Sequence, residues 1–173
     1  VENPHEFKEY GENTWGITAS AGPGDHTCEI DGRERQFYGY LARGVPEGPD
    51  DGTLSPWAVV ASLPFAPEIV LPTIRHYDEA YPEMRHAYGY RCSFNPTFPS
   101  DGSGQVGWVS HGYYGLNQGP IVLMIENYRT GFLWQLMKQC PYLVRGLRRA
   151  GFSGGWLSDI GEREGLRLGE GGE

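Results

Sequence analysis

The stretch Gly119-Pro120-Ile121-Val122-Leu123-Met124-Ile125-Glu126-Asn127-Tyr128-Arg129-Thr130-Gly131-Phe132-Leu133-Trp134-Gln135-Leu136-Met137 constrains the fold more than any other. Pro120 has the fixed φ that suits a first helical position, and Pro141 should stop what Pro120 starts. Apolar residues fall on nearly every side of the intervening helix, and a helix of that kind is buried. The sequence therefore predicts one helix from about Pro120 to Gln139 as the most buried element of the chain. Glu126 lies inside it, with Arg129 three and Thr130 four residues on along the same face. A buried carboxylate must be paired, hydrogen-bonded or neutralised. Two readings follow: a structural Glu126–Arg129 pair, or a polar arc turned towards a pocket.

The chain has 173 residues, one ordinary domain by length. Its net charge of −8 and the lack of a Lys/Arg cluster argue against a nucleic-acid surface. Arg145, Arg148 and Arg149 read as the solvated face of a late helix. Cys28, Cys92 and Cys140 have no metal-ligand spacing, and His5, His26, His76, His86 and His111 have none either. No metal or other cofactor is implied. The apolar runs fall short of a membrane span, and no signal peptide is visible. The first residue is Val1, not Met, so an upstream part is expected.

Residues 4–10 read as the end of a helix, and residues 26–47 as a short hairpin or an irregular excursion. Gly48-Pro49-Asp50-Asp51-Gly52-Thr53 is a turn by composition. Ser55-Pro56 reads as N-cap and first residue of a helix to Leu63, with a second helix over residues 67–81 that must accommodate Pro72. Residues 82–117 are loop-like, and a last helix runs from about Tyr142 to Ala150. The chain divides into a body, 1–152, and a disordered Gly- and Glu-rich tail, 153–173. The long loops carry Trp15, Tyr38, Tyr88, Tyr90, Phe94, Phe98, Trp108, Tyr113 and Tyr114. Aromatic faces beside Asn, Asp, Gln and Glu suit sugar rings, although each ring could equally bury its own loop.

Four segments carry a family likeness: Trp15-Gly16-Ile17-Thr18-Ala19-Ser20, Gly48 to Thr53, Ser62-Leu63-Pro64-Phe65-Ala66-Pro67-Glu68, and Gly115-Leu116-Asn117-Gln118-Gly119-Pro120 through Met124 to Gly131. Over roughly residues 10–145 the chain resembles the bacterial glycoamylase-like domain, a family that includes endo-β-1,2-glucanases and is related to a domain of cyclic β-1,2-glucan synthases. The resemblance implies an all-α fold, the C-terminal half of an (α/α)6 toroid with long aromatic-rich loops. It also implies a missing N-terminal half, because a full toroid needs more than twice the helices readable here. An oligo- or polysaccharide substrate follows, with β-1,2-glucan favoured, and so does a periplasmic or secreted location.

The chemistry implied is glycosidic bond hydrolysis by paired carboxyl groups, one acid and one base or nucleophile. On this reading Glu126 and Asp51 are the catalytic candidates. Trp15, Asp50, Trp108, Tyr114, Asn117, Gln118, Asn127 and Arg129 are candidates for binding substrate. Three positions depart from the family pattern. Ala21 follows Thr-Ala-Ser where an acid is expected. Asn117 stands for the Asp of Gly-hydrophobic-Asp-Gln-Gly-Pro, and Cys92 for the Asp of Arg-Asp-Ala-Phe-Asn. These departures open an alternative: a carbohydrate-binding descendant that does not cleave.

Overall fold

The computed structural model describes residues 3–45, 47–100 and 107–160, and its chain divides into two compact units, Val1–Tyr128 and Arg129–Glu173. The first unit is helix-rich but not all-helical. Four two-stranded antiparallel sheets accompany its helices among the described residues, which corrects the all-α expectation.

Residues 4–10 form turns, not a helix end, with Glu6 and Glu9 at positive φ. Strand β1 (Ala19–Ser20) pairs with β4 (Leu41–Ala42). Between them β2 (His26–Ile30) and β3 (Arg33–Phe37) make a hairpin in the register Ile30↔Arg33 to His26↔Phe37. Its two-residue turn is Asp31-Gly32, both at positive φ, the backbone that matches the twist of the flanking strands. Ile30 and Phe37 are its buried ends.

Helix α1 (Pro56–Ala61) starts at a proline, and Ser55 sits before it with extended backbone. The Ser55 side chain makes no capping bond, contrary to the sequence reading. Its backbone N–H instead donates to Gly16 O at 2.8 Å, tying the Trp15 loop to the start of α1. That close approach explains Gly16: a Cβ there would fall 2.7 Å from Ser55 O, and its φ is +123°. Helix α2 (Pro67–Ala80) runs through Pro72 without ending. The core joins Leu54, Val59, Val60 and Leu63 to Val70 and Tyr77 of α2, then to Tyr81, Met84, Tyr90, Phe94, Val109 and Ile121.

The region read as loop is stitched by short pairs. A 3-10 turn (Pro82–Met84) leads into β5 (Arg85–His86), which pairs with β6 (Gly89–Tyr90). Strand β7 (Phe94–Asn95) pairs with β8 (Trp108–Val109) and bridges to Leu54.

Helix α3 (Gly115–Thr130) starts five residues before Pro120. Tyr114 O accepts from the N–H groups of Asn117 and Gln118, so a first turn forms ahead of the proline. The helix then ends where Gly131 adopts φ +67°, and α4 (Phe132–Lys138) begins anew. One continuous helix to Gln139 is therefore not found. The expectation of deep burial also fails. Only Asn117, Ile121 and Asn127 of α3 are buried, whereas Leu116 is 83% and Val122 65% exposed, with Leu123 and Tyr128 about half as open to solvent as they could be.

In the second unit α4 packs with α5 (Pro141–Arg149), anchored by Val144. Phe132, Trp134, Leu136, Met137 and Tyr142 are exposed. Residues 156–160 are helical, so the segment expected as a tail from 153 opens with a helical turn. Its remainder, 161–173, lies outside the described residues. Among the described residues no helix is long and apolar enough to cross a membrane.

Candidate carbohydrate site

Of the three positions where the family resemblance leads one to expect acids, Cys92 and Asn117 meet, and Ala21 is bonded through its backbone to Ser93, the residue after Cys92. Ser93 Oγ donates to Ala21 O at 2.5 Å, and the neighbouring Cys92 accepts at Sγ from Asn117 Nδ2 at 3.6 Å. Strand β7 follows directly on Cys92 and Ser93, while the first turn of α3 supplies Asn117. Cys92 and Asn117 are both buried, and Cys92 N donates to Gly112 O at 3.1 Å. The cluster is therefore neutral: an alanine, a thiol and an amide. Gln118 extends it, its Nε2 donating to Tyr90 O at 2.6 Å.

Asp51 connects through Arg43 to Ser20, beside Ala21, and is enclosed in a polar network. Its carboxylate accepts from Arg43 Nε at 2.7 Å and Arg43 Nη2 at 2.8 Å, from Thr53 N and from Tyr38 N. The side chains of both Asp51 and Arg43 are 0% exposed. Arg43 Nη1 reaches Ser20 O at 2.7 Å, beside Ala21, and Asn95 Nδ2 donates to Asp51 O. Burial pushes the Asp51 carboxyl up, but hydrogen bonds from Arg43 and Thr53, with the guanidinium charge, outweigh it and hold the group below its ordinary value. Such a carboxylate is ionised and shut away from any ligand. Through Arg43 it holds Ser20, the residue before Ala21. Arg43 and Asn95, which hold it, carry no signal of that role in the sequence beyond their residue types.

Asp50 accepts from Tyr10 OH at 2.8 Å and from Gly52 N at 3.0 Å, which builds the turn. Burial first, then the neighbouring Asp50 charge, push the Tyr10 hydroxyl pKa up. Trp15 is half-buried against the core, its Nε1 donating to Thr73 Oγ1 at 2.8 Å, and its backbone N–H and C=O both engage Tyr77 OH. Trp108 is half-buried in β8 opposite Asn95. Tyr114 is exposed at the head of α3.

Glu126 stands apart from this cluster. Nine residues separate it from Asn117, roughly 13.5 Å along the axis and half a turn around it. It is half-buried, its neighbour Asn127 is buried, and Arg129 is exposed. Asn117 thus faces Cys92, with Glu126 on the opposite side of α3 from it, whereas Gln118 is only about 80° around the axis from Glu126 and roughly 12 Å along it. Among the described residues no group of three or more His, Cys, Asp or Glu is placed to hold a metal.

The sequence profile of the Glycoamylase family, described as "Putative glucoamylase", matches residues 1–141. The chain belongs to that family. A crystal structure from Bacteroides uniformis that carries the same description superposes with a TM-score of 0.70 at 37% identity, over 90% of this chain and 32% of that one. The endo-β-1,2-glucanase of Chitinophaga pinensis, solved with sophorotriose and glucose, gives a TM-score of 0.62 at 32% identity, over 84% of this chain and 30% of that one. An exo β-1,2-glucooligosaccharide sophorohydrolase of Parabacteroides distasonis is 33% identical over 150 residues. Those residues are 86% of this chain and 18% of that relative, so the chain spans less than a fifth of the curated relative's length. The chain is thus similar to glycoside hydrolases named for β-1,2-linked glucans.

Proposed function

We propose that this chain is the part of a β-glucan-active glycoside hydrolase domain that recognises the glycan, with β-1,2-glucan as the favoured ligand. The observation that carries the reading is the meeting of Cys92 with Asn117 at the head of α3, with Gln118 bonded to Tyr90 there and Ala21 held by Ser93, next to Cys92 in the chain. The family pattern puts acids at three of these positions, and relatives are named for β-1,2-glucans. On this reading the body, 1–152, forms half of an (α/α)6 toroid and the exposed side of α3 is covered by the other half of the same domain. Glu126, with Asn127 and Arg129 beside it on the helix, is the carboxylate left for acid–base chemistry. Asp51 is too enclosed to touch sugar and acts by positioning Ser20 and Ala21. Cleavage requires two carboxyl groups, so the partner of Glu126 comes from the other half.

A second reading is favoured by the neutrality of the cluster: the domain binds the glycan without cleaving it. One experiment separates the two. Binding of β-1,2-glucooligosaccharides and release of reducing ends are measured on the whole protein, for the parent and for Glu126→Gln. Hydrolysis that falls by a factor on the order of 10²–10⁴ in the variant, with affinity retained, supports the catalytic role of Glu126. Binding without hydrolysis in the parent supports the second reading. Failure to bind any β-1,2-linked oligosaccharide overturns both.

A further inference from the structure

The tight turn between β5 and β6 carries Tyr88, 75% exposed, at its tip. Its ring does not stand alone. It lies 5.8 Å from the ring of Tyr113 and 6.3 Å from that of His86, and His86 and Tyr113 are 5.9 Å apart. The guanidinium of Arg91 stacks over Tyr113 from 5.9 Å. Single exposed aromatics are ordinary, but here three rings from two segments share one patch.

The patch is pinned to the cluster at the head of α3. Gly89, beside Tyr88, has φ +96°, and a Cβ there would fall 2.3 Å from Gln118 Oε1. Gln118 also bonds the next residue, Tyr90, through its carbonyl. Arg91 links the rings to Cys92 along the chain, and its Nη1 donates to Ser110 O at 3.2 Å. A glycine and a hydrogen-bonded amide thus set where the Tyr88 ring stands relative to Asn117 and Gln118.

We propose that Tyr88, backed by His86 and Tyr113, is a stacking subsite for a pyranose ring of the glycan, one or more sugar units removed from Gln118. The electron-rich face of a tyrosine attracts the partially positive C–H face of a sugar, and a rigid ring makes that contact at small entropic cost. The inference rests on the glycan-binding reading above and adds to it a platform that engages only chains long enough to span from Gln118 to Tyr88.

The test uses β-1,2-linked glucooligosaccharides of increasing length, titrated calorimetrically into the parent, Tyr88→Ala and Tyr88→Phe. Tyr88 is exposed, so neither variant removes a core contact. Tyr88→Ala should weaken binding of the longer oligosaccharides by about three- to tenfold and leave the disaccharide unchanged. Tyr88→Phe should stay close to the parent, because the ring and not the hydroxyl makes the contact. Equal affinity of parent and Tyr88→Ala at every length would overturn the platform while leaving the glycan reading intact. A loss that is the same for the disaccharide and the longer chains would also overturn it. A parent that binds no length overturns both together.

Discussion

Asn117 donates its side-chain amide to the thiol sulfur of Cys92, 7% and 4% exposed respectively. The contact joins the first turn of α3 to the segment leading into β7. It also means that an acid at either position would have the other as its immediate neighbour. Asn117→Asp should therefore place a carboxylate in a buried site whose nearest partner is a weak donor. The expected cost is about 1–3 kcal/mol at neutral pH. Burial would raise the folded-state pKa of this new carboxyl above its unfolded value near 4. The sign follows: the variant's deficit is smallest below about pH 4 and grows as pH rises through the folded pKa. Melting temperatures of parent and variant from pH 4 to pH 8 check this. A deficit independent of pH would mean that the carboxylate is solvated or finds another cation.

Asp51 and Arg43 give the opposite pH signature. The pair is fully enclosed, and removing one partner strands the other. Asp51→Ala and Arg43→Ala should each cost about 3–5 kcal/mol, and the double variant less than the sum. The Asp51 carboxyl is held below its ordinary value. Its stabilisation is therefore present above the unfolded pKa near 4 and is lost as pH falls through the lower folded value. Unfolding measured between pH 2 and pH 5 should show this acid limb in the parent and a flatter one in Asp51→Asn. Additive costs in the double variant would mean that the two side chains are not coupled.

Trp15 is a packing residue by its bonds. Thr73→Val removes the acceptor for its indole N–H at nearly constant volume, and should cost about 1–2 kcal/mol. Affinity for a glucooligosaccharide should not change, since the ring stays against the core. Calorimetric unfolding and oligosaccharide titration on the same variant give both numbers. A fall in affinity without a fall in stability would return Trp15 to the binding surface.

Where local chemistry decides, the sequence was readable. Ser55-Pro56 and Ala66-Pro67 open α1 and α2, and α2 persists through Pro72 because tertiary packing of Val70 and Tyr77 outweighs one lost helical bond. Over residues 26–47 the sequence reading leaves a hairpin and an irregular excursion both open, although Asp31-Gly32 is a strong hairpin signal and decides it. What the pattern does not carry is contact between distant segments. Ser93 with Ala21 and Asn117 with Cys92 are pairs separated by 72 and 25 residues, invisible to periodicity. The central helix misleads for a further reason. An apolar circumference says that a surface is made to be covered; it does not say which segment covers it. Gly131 could have marked the break, since a left-handed residue after a helical run is the commonest helix stop.

That uncovered surface yields the last prediction. Leu116, Val122, Leu123 and Tyr128 of α3 are all exposed, and a helix with so many open apolar side chains is a surface for association. Produced alone, the 173-residue chain should self-associate in a concentration-dependent way. Val122→Glu should reduce that association without lowering the melting temperature, because Val122 contributes little buried area to its own unit. The change should also impair activity or glycan binding of the whole protein if the other half of the domain seats there, since it would bury an unpaired carboxylate. Sedimentation velocity on the isolated chain, with and without the substitution, and an oligosaccharide titration of the whole protein make the comparison. A parent chain that sediments as a monomer at all concentrations would show that these side chains are tolerated in water, and would remove the reason for assigning α3 a covering partner.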